Sequence, residues 1–173
     1  IQKEKTKQLD SLNQNLNTDL INSNITQSKA VYLNLYNLLV IKQIVTNYPI
    51  NSPNEIPGFF DKTKFTIKNK ATTLNQLENK IIRPTYKDSR VHFALVCGAK
   101  GCPPIQQFAF FTDSLDQQLD SVTITALNDQ SFIRFQKTGF AEISEIFKWY
   151  IADFGGNEKG IKNRLCYICK RYI

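Results

Sequence analysis

Methionine is absent from the 173 residues, histidine and tryptophan occur once each, and no apolar run reaches the ~18 residues a membrane-spanning helix needs. The most apolar stretch, Val31 to Val45, is too short and carries Asn34, Asn37, Lys42 and Gln43, so it reads as a buried helix. Four cysteines in a chain of this length do not make a small disulfide-dense scaffold. Acids are outnumbered, 15 against 22 bases, which leaves a net charge of +7. The excess is local: residues 157–173 hold five bases and one acid, and Lys3, Lys5 and Lys7 sit at the other end. Basic ends attract nucleic acid or anionic lipid. No nucleic-acid motif accompanies them, so solvated helix faces are expected and nucleic acid is not an expected partner. The chain begins at Ile1, which reads as a trimmed or processed form with any signal peptide lying outside it.

What is present fits one globular domain, 42% hydrophobic and 21% charged, without repeats or a linker. Residues 1–29 are polar, with Leu9, Leu12, Leu16 and Leu20 at helical spacing, and read as a helical segment ahead of a domain at 30–173. Ser28 is a candidate N-cap for the apolar helix that Asn47 and Pro49 end. Lys64 to Thr72 reads as a short strand or hairpin. Thr73 to Gln76 is a capping box opening a helix that Pro84 stops. The run Val91 to Val96, VHFALV, reads as a central strand buried on both faces. An amphipathic helix is expected at 113–128, a hairpin about Lys137-Thr138-Gly139, a helix from Glu145 to Phe154 capped by Ser144, and a last helix at 158–172. Strands interleaved irregularly with helices give an α+β class: a small, mostly antiparallel sheet packed by several helices.

The chemistry-bearing residues gather about His92. On a strand it shares a face with Ala94 and Val96, and a buried imidazole needs a hydrogen-bond partner. It is either a satisfied core histidine or a base or metal ligand. Cys97 follows at the strand end, and an odd offset of five residues would set it about 16 Å along and on the other face. Cys102, further round a loop with Gly98 and Gly101, folds back toward His92 more easily. A thiolate beside an imidazole would be a nucleophile and its base. The alternative is a bridge, because the short loop, with Pro103 fixing its exit, keeps the two cysteines within about 7 Å. The spacing from His92 to Cys97 to Cys102 suits zinc poorly, and Cys166 and Cys169 lie near a helix C-terminus, which disfavours thiolates; no metal ligand and no cofactor is assigned. Asn34 and Asn37 share a helix face, where they either lock helix to sheet or line a site. Glu78, Arg83, Lys148 and Asp153 read as surface charges.

Four segments, YLNLYNLLVIKQI (32–44), TLNQLENKIIR (73–83), RVHFALVCGAKGCPPI (90–105) and SEIFKWYIADFG (144–155), resemble in order and spacing the domain of unknown function 547 family. Tyr32 replaces a frequent tryptophan, Leu38-Leu39 a smaller pair, and Gly98 and Gly101 small or hydroxyl residues of the cysteine loop. The resemblance implies a shared fold but no established reaction. It carries Asn34, Tyr36, Asn37, Glu78, Arg83, His92, Cys97, Cys102, Lys148, Trp149 and Asp153 as matched positions, and it points to an exported protein. The leading expectation is a thiol-dependent hydrolase or acyl transferase on a papain- or transglutaminase-like layout. Cys97 or Cys102 would attack, His92 would be its base, and Asn34 or Asn37 would orient the imidazole or polarise the carbonyl. Tyr36, Glu78, Arg83 and Trp149 would hold a peptide or small-molecule substrate. The alternative is a non-catalytic binding module with bridged cysteines.

Overall fold

In the computed structural model, residues 2–98, 102–137, 141–163 and 165 are described, with Gln2 and Phe135 as backbone only. The expected Lys137-Thr138-Gly139 turn therefore lies largely outside the described residues, and Cys166 and Cys169 wholly so. Helix α1 (Gln2–Asn22) packs along α2 (Ile25–Asn47) through Leu20, which is fully buried, and through an ion pair from Lys42 to Asp10. α2 starts earlier than Ser28 because Asn24 forms the cap: its Oδ1 accepts from Gln27 N–H at 2.9 Å, and Gln27 Oε1 accepts from Asn24 N–H at 3.2 Å. Ser28 instead shares a 2.7 Å hydrogen bond with the Tyr86 hydroxyl.

Strands β1 (Lys64–Ile67) and β2 (Lys70–Thr73) form an antiparallel hairpin, as the sequence suggested. Its two-residue turn puts Lys68 and Asn69 both at positive φ, the turn that matches strand twist. The Thr73 capping box opens α3 (Leu74–Gln76), which widens into a π-helical stretch (Leu77–Ile82) and continues as α4 (Arg83–Tyr86). Pro84 thus does not stop the helix. The π stretch ends at Ile82, and Pro84 falls in the first turn of α4, where an N–H has no intrahelical partner to lose. Helix α5 (Leu115–Asn128) buries Leu115, Leu119, Val122 and Ala126; β3 (Ile133–Phe135) pairs antiparallel with β4 (Ala141–Ile143). The fold is a small α+β domain whose two described sheets are two-stranded hairpins packed by helices. Among the described residues no helix is long and apolar enough to cross a membrane.

Val91 to Val96 is not a strand. Ser89–Phe93 is a 3-10 turn, started by the Asp88 side chain accepting from Arg90 N–H at 3.0 Å. A continuous apolar run has no periodicity to separate strand from buried helical turn. Both described hairpins pair internally, and the segment joins neither. Its loose backbone is held by α2 instead: Asn37 Nδ2 donates to Ala94 O at 2.9 Å, and Val96 N–H donates to Asn37 Oδ1 at 3.0 Å. One turn earlier Asn34 does the same for Phe110, donating to its carbonyl at 2.8 Å and accepting from its N–H at 2.9 Å. Gln43 donates to Phe59 O at 3.0 Å. Below the 3-10 turn, Phe93 packs with Phe132, Phe147 and Phe154, ring centroids 6.0–6.1 Å from its own.

Asn37→Ala strands one buried N–H and one carbonyl, so it is expected to cost roughly 2–4 kcal/mol in chemical denaturation. Gln117→Ala, on the exposed face of α5, is expected to stay within about 0.5 kcal/mol of the parent.

Candidate functional site

The turn carrying His92 is anchored on its other side by charge. Arg90 donates to Asp88 at 2.7 Å, Asp120 at 2.7 Å and Asp116 at 2.8 Å, and Lys29 of α2 donates to Asp88 at 2.6 Å. Burial works to raise the Asp88 pKa, but Arg90 and Lys29 outweigh it and hold the carboxyl far below the usual range. This cluster ties the turn to α2 and α5 and fixes which way His92 faces.

His92 is buried. Its Nε2 lies 2.8 Å from Asp153 Oδ2, and its ring stacks on Tyr150 at 3.9 Å between centroids. Asp153 also accepts from Arg83 Nε at 2.7 Å. Helix α6 (Ile146–Trp149) ends well short of Phe154, and the turns that follow swing Asp153 inward. Gly155 then closes on Gly160: at φ +102 a side-chain carbon there would sit 2.7 Å from the Gly160 Cα. Ser144 has the expected cap role in part, its Oγ accepting from Ile146 N–H at 3.3 Å. Burial pushes the His92 pKa down to about 4, against the opposing pull of Asp153, so the imidazole is neutral at neutral pH. Burial also favours the neutral form of Asp153, but Arg83 and His92 hold its pKa below the ordinary value.

Tyr36 donates to Glu78 Oε2 at 3.1 Å, and burial together with the nearby Glu78 carboxyl pushes the Tyr150 pKa up. Burial raises the Glu78 pKa although both hydroxyls and Arg83 oppose it. Glu78 is thus a buried acid and Arg83 and Asp153 form a half-buried pair, rather than surface charges. Lys148 is a surface charge, paired with Glu145 at 3.4 Å. Arg83 lies over the Tyr150 ring, 4.7 Å from its centroid, and also bonds Asn79.

These groups border a cleft of about 350 Å³, with Tyr36, Glu78 and His92 deep in it and Trp149 and Tyr150 on one wall. Cys97 and Cys102 also line it, joined in a disulfide with Cα atoms 6.1 Å apart. The bridge overturns the expected thiol chemistry. Neither Cys97 nor Cys102 is a thiolate, so His92 has no nucleophile there to activate, and the hydrolase or acyl-transferase expectation falls. The separation within disulfide reach is as the loop length suggested. Asn34 and Asn37 do not meet His92; their amides hold backbone, which is the locking role weighed for them. Among the described residues no three His, Cys, Asp or Glu side chains cluster to hold a metal ion.

Tyr150, Arg90, Asp88 and Asn79 were not singled out from sequence. Arg90 and Tyr150 sit inside the family-like segments, and Asn75, Asn79 and Arg83 repeat at i, i+4 on one helix face. Asp88 carries an N-cap signal.

Fold and site together define a disulfide-closed α+β domain with a small, aromatic-walled cleft. Residues 20–125, more than half the chain, match the family model described as Protein of unknown function, DUF547, and the chain belongs to that family. Neither a curated protein nor a solved structure matches it.

Because His92 takes up a proton more readily when unfolded (ordinary pKa 6.5) than when folded (about 4), the unfolded state binds more protons between those values, and stability rises with pH across them. The difference between the pH–stability curves of the parent and His92→Gln is expected to reach about 3 kcal/mol over that window. Thermal or urea unfolding at stepped pH measures it. Parallel curves would mean that His92 is not held neutral.

Proposed function

We propose that this domain is a non-catalytic, disulfide-stabilised binding module that seats a peptide or small molecule in the cleft beside Glu78. The observation that carries this reading is the Cys97–Cys102 bridge standing as a wall of a preformed cavity. Ligand sites are typically concave, largely apolar and preformed, with a few placed polar groups. Here the polar groups are already oriented by the fold: Tyr36 on Glu78, and Asp153 between Arg83 and His92. Tyr36, Glu78 and Trp149 are the residues in reach of a ligand, and Arg83 sets the wall through Tyr150 and Asp153.

The bridge closes a short loop, which by loop entropy contributes about 2 kcal/mol. Such bridges persist in oxidising compartments, which suits the exported setting that the family resemblance implies. A papain- or transglutaminase-like layout has no support in the two small hairpins, and a binding module does not require one.

A soluble-fragment screen read by amide chemical shifts tests the site. Hits are expected to cluster on Tyr36, Glu78, Trp149 and Tyr150. Hits that scatter, or that gather on the far side of α2, would place binding elsewhere.

A further inference from the structure

The cleft has an electrostatic character that the basic chain as a whole does not. Of the described residues lining it, Glu78 is the one acid and none is a lysine or arginine. Arg83, whose charge acts on Glu78, is committed: its Nε goes to Asp153, its Nη1 to Asn79, and its plane rests over Tyr150. His92 contributes no positive charge at neutral pH. Glu78 accepts from the Tyr36 hydroxyl, while a carboxylate has about four acceptor positions, so positions are left for a donor arriving in the cleft. Burial raises its pKa, and a cation seated beside it would draw the carboxyl into its ionised form inside an apolar, aromatic enclosure.

The same cleft is lined by Phe60, Trp149 and Tyr150, with Leu95, Ile146 and Pro103 supplying aliphatic surface. Trp149 is 64% exposed, an unusual position for a large ring unless something covers it. Aromatic faces attract cations, most strongly where water is thinned out.

We propose that the cleft is specific for an organic ammonium group on an apolar stem, the chemistry of a lysine side chain or a free alkylamine, with Glu78 as its counter-ion and Trp149 and Tyr150 flanking the stem. This rests on the binding-module reading and names its ligand class. An anionic ligand would meet Glu78 with no cation among the described lining residues to offset it, and an apolar one would leave acceptor positions of Glu78 unfilled.

Trp149 is the only tryptophan of the chain, so its emission reports the cleft directly. The probes are n-butylammonium, its near-isosteres n-butanol and n-butyrate, and Nα-acetyl-lysine methylamide, titrated against the full chain with its disulfide intact. Expected is a saturable change in Trp149 emission with n-butylammonium, at least about tenfold tighter than with n-butanol, and none with n-butyrate. Glu78→Gln is expected to remove that preference while keeping the fold by circular dichroism. The parent comparison of charged with neutral probe decides the matter even if that variant unfolds. Binding of acetyl-lysine methylamide as well would identify a peptide lysine as the source, and binding of n-butylammonium without it a free amine. Equal binding of n-butanol or n-butyrate would overturn the ammonium specificity and leave the binding module standing. No response to any probe would overturn both.

Discussion

The structure depends on a row of side-chain amides along one helix. α2 is apolar nearly all round, yet it buries Gln43 and half-buries Asn34 and Asn37, and each of these holds backbone from a different loop. A core of short turns would leave many backbone donors and acceptors without partners, at a cost comparable to the lost hydrogen bonds. In most α+β domains a central sheet supplies those partners. Here the two described sheets are small hairpins, and the amides of α2 take over part of that task.

That substitution explains the site. Because Asn37 grips Ala94 and Val96, the chain can run through the core as a 3-10 turn rather than a strand. The Arg90 cluster fixes the start of that turn and Asn37 its end, and His92 faces Asp153 between them. Asp153 in turn joins three parts of the chain: its own turn after α6, the histidine turn, and Arg83 at the start of α4. The outcome is a wall whose charges cancel locally, leaving Glu78 as the one acid among the described residues that line the cleft. With Cys97 and Cys102 bridged, the part of the cleft they line presents no thiolate.

Much of this was legible in the residues, and the failures share a cause. The β1–β2 hairpin, the Thr73 capping box and α5 follow from periodicity and local cap chemistry, which sequence records directly. Val91 to Val96 misled because a run of apolar residues says only that the segment is buried; Asp88, with its cap oxygen three residues before Val91, was the stronger local signal. Pro84 misled because a π-helical widening is set by tertiary fit and has no sequence period of its own. Glu78, Arg83 and Asp153 looked like surface charges because their partners lie far along the chain, 42 residues for Glu78 with Tyr36 and 70 for Arg83 with Asp153. The asparagine pair was readable as unusual, but choosing between a lock and a site needed the loops it grips.

The central claim is that the cleft binds and does not react, and it turns on the state of two sulfurs. Native, never-reduced protein should be exposed to iodoacetamide between about pH 6 and 9, where an activated thiol would react, and then mapped by peptide mass spectrometry. A bridged pair predicts that Cys97 and Cys102 leave together in one disulfide-linked product, unalkylated at every pH. Alkylation of either residue in the folded protein, at a rate that His92→Gln lowers, would contradict the account and return the site to thiol chemistry.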